Sequence, residues 1–209
     1  MKECVIIAAG DLGDPAYAAR YAKGYVICAD GGIYHADRMG IAPDLIVGDW
    51  DSGGDGLRGR DCEILAFPPE KDSTDTGLAL AEAVNRGYDH ITILAGVGRR
   101  LDHTLANIQS MAFYVQKHQV QVRMLHSENS VYILEAPGTL YLTDTWNQYI
   151  SLFAFTPEVT GITLSNMRYP LVEATLTHTF PLGVSNESLG DQSSIYARSG
   201  TLVVVTSRE

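Results

Sequence analysis

Residues 91–103 read ITILAGVGRRLDH: an unbroken apolar run, a turn with two glycines, then a segment that turns helical. A short aliphatic and β-branched run bounded by glycine reads as a strand buried on both faces. The same order recurs elsewhere. YVICA at 25–29 leads into ADGG at 29–32, DLIV at 44–47 leads into GDWDS at 48–52, and the shorter EILAF at 63–67 precedes EKDSTDT at 70–76. Further strand-like runs fall at 4–8 and 120–125. Between them lie helical patterns. Leu105, Ile108, Ala112 and Val115 share one helical face. A second helix is expected over 75–85, with Leu80, Ala83 and Val84 inward and a stop before Gly87. Strands alternating with helices predict a mostly parallel α/β sheet with flanking helices.

After about residue 127 the helical period disappears. Short runs at 131–134, 139–142, 149–155, 161–164, 194–197 and 201–205 are punctuated by Pro137-Gly138, Asn147, Pro157, Pro170, Pro181 and Ser199-Gly200. Many short strands with regular turn signals predict a C-terminal β-sandwich or barrel. The expected division is an α/β domain over 1–126 and this β domain over 127–209.

The 209-residue chain is 45% hydrophobic and 19% charged, ordinary values for a globular protein. Its formal net charge of -10 repels nucleic acid and anionic membranes, so neither is an expected partner. Cys4, Cys28 and Cys62 are odd in number and form no CxxC pair, which points to reduced thiols and a cytoplasmic location. The apolar run at 5–9 is too short for a signal-peptide core, and no stretch approaches a membrane span.

In a parallel sheet the loops leaving the carboxyl ends of the strands converge on one crevice, and ligands bind there. Here those loops carry carboxylates, glycines and two arginines, a mixture suited to a magnesium-bound polyphosphate. In GDWDS, Asp49 and Asp51 point to the same side of an extended backbone. They read either as two hard ligands for Mg²⁺ or as an acidic turn solvating a strand end. A calcium loop is excluded, because Gly53 and Arg60 stand where further ligands belong. Trp50 packs that loop in this reading, and Trp146 lies in a polar turn region. In EKDSTDT, Asp72, Ser73 and Thr74 are N-cap candidates, Asp75 suits the helix dipole, and Lys71 adds a point charge. A helix start of this kind is also a phosphate site.

GVGRRLDH is not a dinucleotide fingerprint, since Leu101 occupies the third glycine position. Gly98 lets backbone approach a ligand, and Arg99 or Arg100 can grip phosphate oxygens. Asp102 and His103 read either as helix caps or as ligand contacts, and Asn107 shares the helical face of His103. Asp30, Gly31 and Gly32 draw their weight from joining these loops on one edge. The other histidines, His35, His90, His118, His126 and His178, show no ligand spacing.

The ordered set ADGG, GDWDS, DSTDT and GVGRRLDH, followed by NMRYPL at 166–171 and GVSNES at 183–188, resembles the thiamine pyrophosphokinases. The resemblance implies a homodimer with active sites between subunits, and transfer of the pyrophosphoryl group of ATP to thiamine to give thiamine diphosphate and AMP. By position it implies that Asp49, Asp51 and Asp75 hold Mg²⁺. Asp30 matches the acidic residue of the first loop, and Arg100 and Asp102 match the arginine and aspartate of the fourth. It places Ser185 and Asn186 near thiamine, with Tyr169 a candidate contact for the thiamine cation. Asn166 stands where the family has glycine, and Arg99 where a second glycine is usual. The readings that compete are a diphosphokinase of another alcohol such as a hydroxymethylpterin, a DxD-type sugar-nucleotide transferase, and a non-catalytic nucleotide or thiamine sensor.

Overall fold

The computed structural model describes residues 1–48, 61–68, 72–98, 100–143, 148–190 and 192–208. These form two compact units, Met1–Ser127 and Glu128–Glu209.

In unit 1 the strands are β1 (Glu3–Ile7), β2 (Tyr25–Ala29), β3 (Leu45–Gly48), β4 (Glu63–Ala66), β5 (His90–Leu94) and β6 (Gln121–Leu125). They pair in the order β6-β5-β1-β2-β3-β4, and every one of these pairings is parallel. The central strands are buried on both faces: Ile6, Ile27, Ile46 and Ile93 are all 0% exposed. Cys4 and Cys28 lie in this interior, and burial pushes the Cys4 thiol up to about 12. At the edge, β4 is mostly exposed. Arg86 tethers it, donating to Glu63 at 2.7 Å, to Glu82 at 2.6 Å and to the Tyr25 hydroxyl at 2.7 Å.

The helices are α1 (Pro15–Tyr21), α2 (Gly32–Met39), α3 (Asp75–Asn85) and α4 (Leu101–His118). The chain steps from β1 through β2 and β3 to β4, then returns to β5 on the other side of β1. Right-handed crossovers therefore put the helices of the outward steps on one face and those of the return on the other. Accordingly α1 packs with α2, and α3 with α4. The α3 bounds are those the sequence predicts, with Ala79, Leu80 and Ala83 buried and Val84 half-buried. For α4 the expected packing face is corrected. The buried residues are Asn107, Met111, Ala112 and Val115, while Leu105 is 54% exposed. The helix begins at Leu101, four residues earlier than its apolar period indicates, and both leucines of its first turns face outward.

Unit 2 contains β7 (Asn129–Glu135), β8 (Gly138–Leu142), β9 (Tyr149–Ala154), β10 (Glu158–Ser165), β11 (Ala174–Thr177), β12 (Gly183–Glu187), β13 (Ser193–Ala197) and β14 (Thr201–Ser207). Within it, β12-β9-β14-β7 and β11-β10-β13-β8 form two antiparallel sets. Both contribute to one core that includes Leu134, Leu142, Ile150, Leu152, Ile162, Ile195 and Val204. That shared core makes the sandwich. Among the described residues no helix is long and apolar enough to cross a membrane.

Candidate functional site

The strand order in unit 1 reverses between β1 and β5, and a reversal of this kind is where open α/β sheets bind ligands. Two loops meet there. The N–H of Ala8 donates to Leu94 O at 2.9 Å, that of Gly10 to Ala95 O at 2.8 Å and that of Asp11 to Val97 O at 2.6 Å. A Cβ on Gly10 would lie 2.5 Å from both Ala95 O and Val97 O, so only glycine permits this approach. The loop after β1, AAGDLGD at 8–14, lies outside the motifs the sequence marks. Its signal is the Gly-Asp pair closing the first apolar run. His35 on α2 also reaches it, with Nε2 2.8 Å from Gly10 O.

The turn after β5 is held from the helix it enters. Asn107 Nδ2 donates to Gly96 O at 2.8 Å, and Gly98 N–H donates to Thr104 Oγ1 at 3.2 Å. Gly96 also lies against Met124 of β6, where a Cβ would be 2.4 Å from the sulfur. This turn delivers Arg100, the N-cap position of α4, whose side chain makes no cap bond. Capping by Asp102 or His103 is therefore corrected: both lie inside the first turn and are exposed. Asp102 instead takes Arg100 in a two-pronged pair, Nε to Oδ1 at 3.2 Å and Nη2 to Oδ2 at 2.6 Å. The guanidinium hydrogen bonds hold the Asp102 carboxyl below the usual carboxylate range and raise Arg100. One edge of the fork is engaged by Asp102, and among the described residues the Nη1 side has no hydrogen-bond partner.

At the end of β2, Asp30 adopts φ 47, a left-handed conformation that Asp tolerates, and its N–H donates to Val47 O at 2.8 Å. Gly31 is the N-cap of α2 and Gly32 its first residue. A Cβ on Gly32 would lie 1.9 Å from Ile7 O, so that glycine is required by helix–strand contact whatever else it does. Of the three N-cap candidates of α3, Thr74 fills the position, its Oγ1 accepting from Gly77 N–H at 3.1 Å. Asp75 follows in the first turn, and Asp72 is exposed just before it. Asp30, Asp72, Thr74, Asp75, Gly98, Arg100, Asp102 and His103 thus all stand on loops or helix starts at the carboxyl edge of one sheet. Asp49, Trp50, Asp51, Lys71, Arg99 and Trp146 lie outside the described residues. Among the described residues no group of three or more His, Cys, Asp or Glu side chains is placed to hold a metal.

In unit 2, Tyr169, Ser185 and Asn186 are gathered around one local clamp. Asn186 is 5% exposed. Its Oδ1 accepts from Tyr169 N–H at 3.0 Å and Glu187 N–H at 2.9 Å, and its Nδ2 donates to Tyr169 O at 2.7 Å. The amide therefore fixes Tyr169, within a segment whose main chain also pairs, Arg168 N–H donating to Glu187 O and Leu189 N–H to Asn166 O, both at 2.9 Å. Tyr169 is left 56% exposed with the Arg168 guanidinium 5.8 Å over its ring. Arg168 in turn pairs with Glu187 at 2.9 Å. Ser185 has φ 60 at an irregularity in β12, its N–H donating to Ser151 Oγ at 3.1 Å and its side chain exposed. Asn166 takes φ 58 and donates from Nδ2 to Gln192 O at 2.9 Å. The turn that favours glycine is kept by the side chain that best tolerates its conformation.

Comparison with known proteins gives these two units their counterparts. Residues 19–124 match the profile of the thiamin pyrophosphokinase catalytic domain, and residues 139–202 match that of the thiamin pyrophosphokinase vitamin B1 binding domain. The chain is 30% identical over 175 residues to the thiamine pyrophosphokinase of Bacillus subtilis, covering 81% of each protein. The crystal structure of a Bacillus subtilis thiamine pyrophosphokinase superposes with a TM-score of 0.86 at 26% identity, over 100% of both chains. A thiamin pyrophosphokinase family protein from Enterococcus faecalis gives 0.82 at 26% identity, again over 100% of both chains. Thiamin pyrophosphokinase from Candida albicans shares the fold at 15% identity, with a TM-score of 0.82 over 100% of this chain and 89% of that one. With both domain profiles matched in order, the chain belongs to the thiamin pyrophosphokinase family.

Proposed function

We propose that this protein transfers the pyrophosphoryl group of ATP to the hydroxyl of thiamine, yielding thiamine diphosphate and AMP. In this reading nucleotide and cation bind at the carboxyl edge of unit 1, thiamine is recognised by unit 2, and the working form is a homodimer. One observation carries the proposal. The catalytic-domain match spans the loops after β2, β3, β4 and β5, while the vitamin B1 match spans the Asn186 clamp and Tyr169.

The donor chemistry of the edge suits a hard cation. Asp30, Asp72 and Asp75 offer carboxylate oxygen, and the thiol at the end of β2, Cys28, is 0% exposed inside the strand. We assign Asp49, Asp51 and Asp75 to hold Mg²⁺, which when bound neutralises charge on the phosphate oxygens. The remaining work falls to the chain itself. Arg100 turns its open edge to a phosphate, and the backbone N–H groups at the start of α3 offer a second berth beside Lys71. The glycine turn at 96–98 lets backbone come close to the nucleotide. Positioned in line, the thiamine hydroxyl attacks the β-phosphorus, AMP leaves, and Asp51 or Asp75 takes the hydroxyl proton. Tyr169 already has one cation over its ring, which supports a role in receiving the thiazolium. Asp102, exposed beside Arg100, supplies a carboxylate to the same cationic substrate.

A diphosphokinase of another alcohol would share the chemistry of unit 1 but leave the vitamin B1 match unexplained. A sugar-nucleotide transferase would account for GDWDS alone. Incubating the purified chain with ATP, Mg²⁺ and thiamine should give AMP and thiamine diphosphate in equal amounts, and nothing without the metal. Formation of ADP, or turnover of hydroxymethylpterin in place of thiamine, would overturn the assignment.

A further inference from the structure

The inward face of α4 carries Met111, Ala112 and Val115, and one polar residue, Asn107, 6% exposed. A leucine there would bury more apolar surface and leave no amide to satisfy. What Asn107 does instead is reach back to the carbonyl of Gly96, 2.8 Å away and 11 residues earlier in the chain. One turn closer to the helix start, Thr104 Oγ1 accepts the N–H of Gly98 at 3.2 Å. Two more backbone groups of this turn, the carbonyls of Ala95 and Val97, are taken from the opposite side by the loop after β1. Gly96 cannot retreat toward β6, because Met124 fills that space. The turn is thus clasped between two elements, and the α4 side of the clasp consists of two side chains.

We propose that Asn107 and Thr104 are positioning residues for the nucleotide. They set the height of the 95–98 turn and so fix where Arg100, two residues beyond it, presents its guanidinium. Neither touches the phosphate itself; both act through the turn. This inference rests on the reading that Arg100 contacts ATP, so the experiment must separate the two.

The measurement is ATP affinity and the KM for ATP and for thiamine in Arg100→Ala, Asn107→Leu, Thr104→Val and the Asn107→Leu/Arg100→Ala double variant, with thermal melting of each. Asn107→Leu should weaken ATP about tenfold, Thr104→Val about threefold, and thiamine KM should move less than twofold. The double variant should bind ATP clearly better than the product of the two single losses predicts, because most of the Asn107 effect runs through Arg100. A merely structural role would lower Tm and disturb both substrates together, with penalties that add. Thr104 is only partly buried, so its variant tests the idea even if Asn107→Leu folds poorly. If Arg100→Ala binds ATP normally, the underlying reading fails and takes this inference with it. If Arg100→Ala weakens ATP while Asn107→Leu and Thr104→Val do not, or if the effects add, the positioning role alone is refuted.

Discussion

The turn at 95–100 in unit 1 and the segment at 166–171 in unit 2 each depend on a buried asparagine, but in unlike ways. In unit 1 backbone and helix share the holding. Two main-chain hydrogen bonds, through Ala95 O and Val97 O, lace the turn to the loop after β1, and Asn107 and Thr104 each add one contact from α4. In unit 2 the main chain holds the flanks, Arg168 N–H donating to Glu187 O at 2.9 Å and Leu189 N–H to Asn166 O at 2.9 Å, while one amide takes both backbone groups of Tyr169 itself. The turn in unit 1 has holders on two different elements. Tyr169 depends on a single side chain for its N–H and its carbonyl together.

That contrast ranks the consequences of substitution. Gly10→Ala should be the most damaging, about 3 kcal/mol, because the added methyl meets two backbone oxygens that cannot move independently. Chemical denaturation would measure it, and a loss smaller than that of Asn186→Leu would break the ranking. Asn186→Leu should cost about 2 kcal/mol by stranding the N–H and carbonyl of Tyr169 and the N–H of Glu187. Its thiamine KM should rise while the ATP KM holds, and equal effects on both substrates would contradict the division between units. Asn166→Ala should cost about 1 kcal/mol at its positive φ, whereas Asn166→Gly should lose less than half of that. Equal losses would show that the bond to Gln192, not the backbone conformation, is what matters. Glu187→Gln should be the mildest. Its pair with Arg168 has side chains 56% and 38% exposed, so less than about 0.5 kcal/mol is expected, shrinking in high salt.

Much of unit 1 is legible in the sequence because its central strands are buried on both faces and its loops carry their chemistry in short, ordered motifs. The bounds of α3 follow from the Thr74 cap and the apolar residues at 79, 80 and 83. The start of α4 does not, since Leu101 and Leu105 look like core residues and are 68% and 54% exposed. Apolar spacing reports a helix but not which side of it meets solvent. The loop after β1 escapes notice because its glycine matters through a carbonyl contributed from residue 95, a long-range fact no local pattern contains. In unit 2, β12 is hidden by the irregularity at Ser185, which breaks the two-residue alternation, and the clamp that the buried Asn186 amide makes on Tyr169 cannot be read from its neighbours in sequence. Asn166, by contrast, could be anticipated. Where a family prefers glycine, an asparagine keeps the same left-handed turn.

The two thiols at the heart of the parallel sheet have a practical consequence. Cys4 and Cys28 are 1% and 0% exposed, and Cys4 is held in its protonated form far above neutral pH. An alkylating reagent therefore meets a silent interior until β1 and β2 part. The slow incorporation of label at these positions becomes a clock for rupture of the central strands, running apart from any motion of the loops around them.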